Sequence, residues 1–117
     1  MIIKENERNV VEERNAENGY GMLYLEHFLL PPDAPAKQKM YAKATLEPGA
    51  MVGFHKHTGE SESYYILSGT GEYNDEGKIS TVSAGMVTFT PSGYGHSIKN
   101  IGTEPLVFIA LIIREDL

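Results

Sequence analysis

His55 and His57 stand two residues apart inside the stretch GAMVGFHKHTGESESYYILSG, Gly49 to Gly69. Residues i and i+2 of an extended strand face the same side, roughly 6.5 to 7 Å apart along the backbone. Both imidazoles therefore project together while Lys56 points away. Glu62 begins the next strand behind an acid-bearing turn and brings a carboxylate to the same side. A third imidazole, His96, follows a distant Gly- and Pro-bearing turn, PSGYGH. Three imidazoles and one carboxylate suit a borderline divalent ion, whether Mn, Fe, Co, Ni or Zn. Such ligands must be deprotonated, so binding is expected to weaken as pH falls through the imidazole range near ~6.5.

Two neighbours of this set get blander readings. Glu60 is a competing carboxylate in the same run, and its spacing puts it in the solvent-exposed turn. A lone histidine on an apolar strand is ordinarily a packed residue with a satisfied hydrogen bond, which is the reading for His27. A His-x-His pair alone is a weak signal, so the glycines and the proline around it carry weight too.

The elements that must position these groups are strands. Apolar residues alternate or come in short runs, and Gly or Pro interrupts them about every ten residues. YGMLYLEHFLL, Tyr20 to Leu30, reads as a first strand ending at Pro31-Pro32. KMYAKATLEPG sets Met40, Ala42, Ala44 and Leu46 against Tyr41, Lys43 and Thr45 and turns at Pro48-Gly49. MVGFHKH is a strand, and ESYYILSGTGEYN continues after the turn at Thr58-Gly59. NDEGK is a tight hairpin loop, because Asn, Asp and Gly tolerate the positive φ such turns need. KISTVSAG, MVTFTPSG, YGHSIKN and PLVFIALII follow. About nine short strands with turn punctuation predict an all-β sandwich or barrel, in an antiparallel arrangement. Residues 1–18, polar apart from Val10 and Val11 after the first three, read as an arm or edge segment, and 19–117 as one barrel domain.

The bulk composition sets the outer bounds. At 117 residues the chain can bury one core and not two. No apolar run approaches the roughly 18 to 20 residues of a membrane helix, and the start turns charged too early for a signal peptide. With no cysteine there is neither a disulfide nor a thiolate metal site. Sixteen Asp and Glu against ten Lys and Arg argue against nucleic acid or an anionic membrane as partner. The expected setting is the cytoplasm.

The spacing of these residues resembles the cupin family. Its first motif, G-x5-H-x-H-x4-E-x6-G, is met by Gly49, His55, His57, Glu62 and Gly69. Its second, G-x5-P-x-G-x2-H-x3-N, is met by Gly85, Pro91, Gly93, His96 and Asn100, fifteen residues further on. Asn100 reads as a turn or hydrogen-bonding residue rather than a ligand. The resemblance implies a cupin-type double-stranded β-helix, a jelly-roll barrel of two antiparallel sheets with one divalent metal near one mouth. The implied ligands are His55, His57, Glu62 and His96. Lys43, Tyr41, Phe54, Tyr64, Phe89 and Ile98 are candidates for the pocket lining.

Four protein ligands leave one or two positions open on a metal that accepts five or six, which suits catalysis or ligand binding. The expected ligand is a small polar organic molecule such as a keto acid, a diol or oxalate. A metal-dependent dioxygenase, decarboxylase or isomerase is one expectation, and a non-catalytic sugar- or organic-acid-binding barrel the other. A dicarboxylate enzyme wants an arginine near the metal, yet Arg8, Arg14 and Arg114 lie outside both motifs. No catalytic base is identifiable. A homodimer formed through the first strand and the proline-rich loop is expected by the same resemblance.

Overall fold

A computed structural model describes residues 1–115 of the chain. Ten strands follow one another: β1 (Asn9–Arg14), β2 (Met22–His27), β3 (Gln38–Leu46), β4 (Met51–Lys56), β5 (Glu60–Ser68), β6 (Thr70–Asp75), β7 (Lys78–Ser83), β8 (Val87–Thr90), β9 (Gly95–Asn100) and β10 (Leu106–Arg114). They form a six-stranded sheet, β1-β2-β3-β10-β5-β8, and a four-stranded sheet, β4-β9-β6-β7. Every pairing between them is antiparallel. The chain thus adopts the all-β barrel of two antiparallel sheets that its turn spacing predicts. Among the described residues, no helix is long and apolar enough to cross a membrane.

The period-two pattern explains which faces close on each other. Along β10, Leu106, Phe108, Ala110 and Ile112 are buried while Val107, Ile109, Leu111 and Ile113 face outward. Phe108 lies opposite Ala44 of β3 on one side and Ile66 of β5 on the other. Two small alanines, Ala42 and Ala44, leave room for its ring beside them. Ile98 and Leu46 complete a core in which these large side chains are at most 2% exposed. Asn100 ties the end of this core together: its amide donates to the carbonyls of Leu46 and Glu104, and its side-chain oxygen accepts from Gly102 N–H.

The ESYYILSGTGEYN stretch divides at Gly69, a turn between strands: β5 and β6 belong to different sheets. Gly69 has φ +88°, and a Cβ there would lie 2.6 Å from the Pro105 carbonyl oxygen. Residues 9–14 form β1, which pairs with β2 from Asn9 opposite His27 to Arg14 opposite Met22. All six β1 residues are exposed, so burial leaves no hydrophobic alternation by which the strand could be read. The NDEGK loop is a two-residue hairpin, with Glu76 at φ 50° and Gly77 at φ 93° between paired Asp75 and Lys78.

Candidate metal centre

Strand pairing brings the predicted set together across both sheets. In the smaller sheet, β4 pairs with β9 so that His55 lies directly opposite His96, and His57 follows the end of β4. The ladder slips between Val52 and His55, at Gly53 and Phe54. Gly53 is needed there because a Cβ would collide with the backbone carbonyl of Glu17. Glu62 enters from the other sheet, on β5 opposite Thr90 of β8. One ligand atom each from His55, His57, Glu62 and His96 falls within 4.8 Å of the others.

Hydrogen bonds on the far side of each ring fix its orientation, and for His55 and His57 they also fix which nitrogen carries the lone pair. Nδ1 of His55 lies 2.8 Å from the Gly53 carbonyl, which can only accept, so Nδ1 carries the proton. Nδ1 of His57 lies 2.7 Å from the Glu60 carboxylate and is protonated for the same reason. Nδ1 of His96 meets the Tyr73 hydroxyl at 2.6 Å and the Thr90 hydroxyl at 3.0 Å. All three Nε2 atoms then turn inward. Those of His57 and His96 stand 3.0 Å apart, and 3.0 and 2.9 Å from Glu62 Oε1; that of His55 is 3.9 Å from it.

This donor set fits a cation. Two ring nitrogens and a carboxylate oxygen at such spacing repel one another unless a proton or an ion lies between them. Bonds of about 2.1 Å to a shared ion would place neighbouring ligand atoms about 3 Å apart or a little more, so the set is close enough for His55, His57, Glu62 and His96 to hold one ion between them.

The same crowding perturbs the protonation equilibria. Burial works against charge on His55, but the nearby Glu62 carboxylate and the Gly53 carbonyl outweigh it and raise its pKa. For His57 the bond to Glu62 dominates over burial, Glu60 adds to it, and the pKa is again raised. His96 is fully buried, and burial wins over Glu62, so its pKa is lowered. Burial alone would push Glu62 up, but the three imidazoles hold it far below the usual carboxylate range. Glu62 raises all three histidines; deeper burial of His96, and the added Gly53 and Glu60 contacts of the other two, make them shift differently.

His55, His57 and Glu62 line a cavity of about 460 Å³, and His96 lies buried behind them. Leu25, Val52, Phe108, Ala110 and Ile112 make part of its apolar wall. Among the described residues its lining carries four carboxylates, Glu13, Glu17, Glu60 and Glu62, against the two ammonium groups of Lys39 and Lys56, the latter reaching it although strand parity turns it from the histidine face.

Of the six residues suggested by sequence for the lining, Tyr64 is in the cavity wall, its ring stacked on His96 at 5.1 Å. The other five lie elsewhere. Lys43 reaches Glu26 at 3.4 Å, and Tyr41 packs against Phe28 at 4.8 Å. Phe54 and Phe89 are half exposed, and Ile98 is sealed in the core. Parity sorts most of these. Ala42 and Ala44 point inward, so Tyr41 and Lys43 point outward; Thr88 and Thr90 point inward, so Phe89 points outward. Glu60 is not in an exposed turn: it shares the face of Glu62 two residues on and bonds His57 and Lys39. His27 is only half-buried at the end of β2 rather than packed in the core. Tyr73 and Thr90, which hold His96, had no sequence signal beyond their place on strands.

Known proteins share the sequence and fold of this chain. The cupin domain family matches residues 42–112. An oxalate-binding protein of Thermotoga maritima is 41% identical over 113 residues, covering 97% of this chain and 93% of that one. A Thermotoga maritima crystal structure described as a predicted oxalate decarboxylase superimposes with a TM-score of 0.92 at 40% identity, covering 97% of this chain and 99% of that one. Oxalate decarboxylase OxdC of Bacillus subtilis is 39% identical over 80 residues, which is 64% of this chain but 20% of that longer protein.

Proposed function

Because the chain belongs to the cupin family, we propose that it holds one divalent metal ion on His55, His57, Glu62 and His96 and uses it to bind a small dicarboxylate of the oxalate type. The observation that carries this reading is the convergence of three Nε2 atoms and Glu62 Oε1 at one end of the cavity. Three imidazoles and one carboxylate suit Mn, Fe, Co, Ni or Zn. When bound, such an ion supplies Lewis acidity and open positions for two substrate oxygens.

The chain's own groups make anion binding depend on that ion. Four lining carboxylates outnumber two lysines, so the empty cavity repels a dianion, and a divalent charge reverses the balance. The apolar wall limits the ligand to a small molecule whose polar atoms gather at the metal end. Resemblance to an oxalate-binding protein supports the same class.

Turnover by a decarboxylase, dioxygenase or isomerase is the second reading, favoured by the resemblance to oxalate decarboxylases. Against it stands the commitment of the nearby proton-carrying groups. Each imidazole Nδ1 is engaged, and Glu60 is tied between His57 and Lys39. The cavity lining contains no arginine to clamp a second carboxylate. The test is calorimetric titration of oxalate into metal-loaded and metal-stripped protein, with product analysis of the same samples. Oxalate binding only to the loaded form, without product, supports the binding reading; product formation supports the second; no binding to either form contradicts the proposal.

A cytoplasmic homodimer completes the reading, with residues 19–117 as the barrel and 1–18 as its edge segment. β1 supports the dimer: it is an edge strand with Val10 55% and Val11 40% exposed, a surface that a second copy would cover.

A further inference from the structure

Glu60 sits beside the centre without pointing into it. Its Oε2 is 2.7 Å from Nδ1 of His57, and its Oε1 is 2.6 Å from Nζ of Lys39. We propose that Glu60 is a positioning residue that fixes His57 for metal binding, and that Lys39 fixes Glu60. This rests on the metal-binding reading above.

A carboxylate only accepts, so its bond leaves the His57 lone pair on Nε2, aimed at Glu62 and His96. The other two rings are held by uncharged partners, a backbone carbonyl for His55 and hydroxyls for His96. His57 alone of the three has a carboxylate behind it, which makes it the most basic donor of the set. The burial of the pair separates it from an ordinary surface contact: the side chains of His57 and Glu60 are 5% and 13% exposed. Lys39 is 47% exposed, so its own ion pair adds little stability. Its contribution is orientation, because it occupies the second oxygen of Glu60 and stops the carboxylate from turning away.

The experiment compares metal-stripped wild type, Glu60→Ala, Glu60→Gln and Lys39→Met, each titrated with Co²⁺ by calorimetry and followed by visible absorption. Loss of the carboxylate is expected to raise the Kd about 10- to 100-fold and to alter the Co²⁺ absorption bands. Glu60→Gln keeps an acceptor oxygen and recovers part of that loss, and Lys39→Met shows a smaller increase. Apo melting temperatures of the variants stay close to wild type. A Glu60→Ala Kd within about twofold of wild type, with unchanged bands, overturns the proposal while leaving the metal site standing. So does a Glu60→Gln variant as weak as Glu60→Ala with the apo fold equally destabilised, which marks a structural role only. Wild type that fails to bind Co²⁺ overturns the metal reading and this inference together.

Discussion

At the scale of single residues, the site is governed by where protons sit. His55 and His57 are held above the ordinary imidazole pKa in the metal-free site, and Glu62 far below its own. A raised histidine contributes apo stability that is present below the unfolded value of about 6.5 and lost as pH rises through the folded value. A metal must displace those same protons, so it gains where they are lost. The increase in melting temperature on adding Mn²⁺ is therefore predicted to be larger at about pH 8 than at about pH 6. Scanning fluorimetry with and without the ion at both values checks this, and an increase that is greater at the lower pH contradicts it. Glu62→Gln is predicted to weaken metal binding at least about 100-fold, since it removes the one anionic donor among four ligands. Equilibrium dialysis measures that loss. The clustering of His55, His57, Glu62 and His96 was legible in the sequence because i, i+2 parity and motif spacing are local. Glu60 was misplaced because its contact with Lys39 spans 21 residues and depends on how β3 and β5 flank β10.

At the scale of elements, glycines decide where strands can change sheet. Gly69 and Gly77 both have positive φ, but only Gly69 has backbone atoms against its missing Cβ, whereas nothing lies within 4 Å at Gly77. Gly77→Ala is predicted to cost about 1 kcal/mol, from its backbone conformation alone. Gly69→Ala is predicted to cost about 2 to 4 kcal/mol, because the β5–β6 junction must also move away from Pro105. Urea denaturation of the two variants should separate them; equal losses would show that the close approach is relieved cheaply. Strand positions were readable from Gly and Pro punctuation. The turn at Gly69 was among them, but the sheet that each half of ESYYILSGTGEYN joins was not, because local spacing carries no mark of long-range pairing. Nor was β1, a strand whose six side chains are all exposed.

At the scale of the whole molecule, the account joins a closed barrel, an acid-lined cavity and an exposed edge. The edge predicts association: light scattering during size-exclusion chromatography should give about twice the chain mass of 12.9 kDa. Val11→Lys is predicted to shift that value toward the monomer, with the far-UV spectrum retained. A wild-type monomer would contradict the dimer and leave the barrel untouched. The all-β class and the meeting of His55, His57, Glu62 and His96 could be read from spacing, but most of the cavity wall could not. Lys43, Tyr41 and Phe89 were misassigned because each sits one residue from an inward position, and a one-residue slip exchanges the two faces of a strand.

Elemental analysis decides whether His55, His57, Glu62 and His96 hold a metal. Untagged protein purified without chelator should carry about one equivalent of a first-row divalent ion per chain. His55→Ala is the better control than a His96 variant, because His55 is half-buried at the cavity wall whereas His96 is sealed in the interior. A single equivalent is expected in wild type, and its loss from folded His55→Ala. Folded wild-type protein that takes up no metal, even after incubation with Mn²⁺, Fe²⁺, Co²⁺, Ni²⁺ and Zn²⁺ in turn, would contradict it.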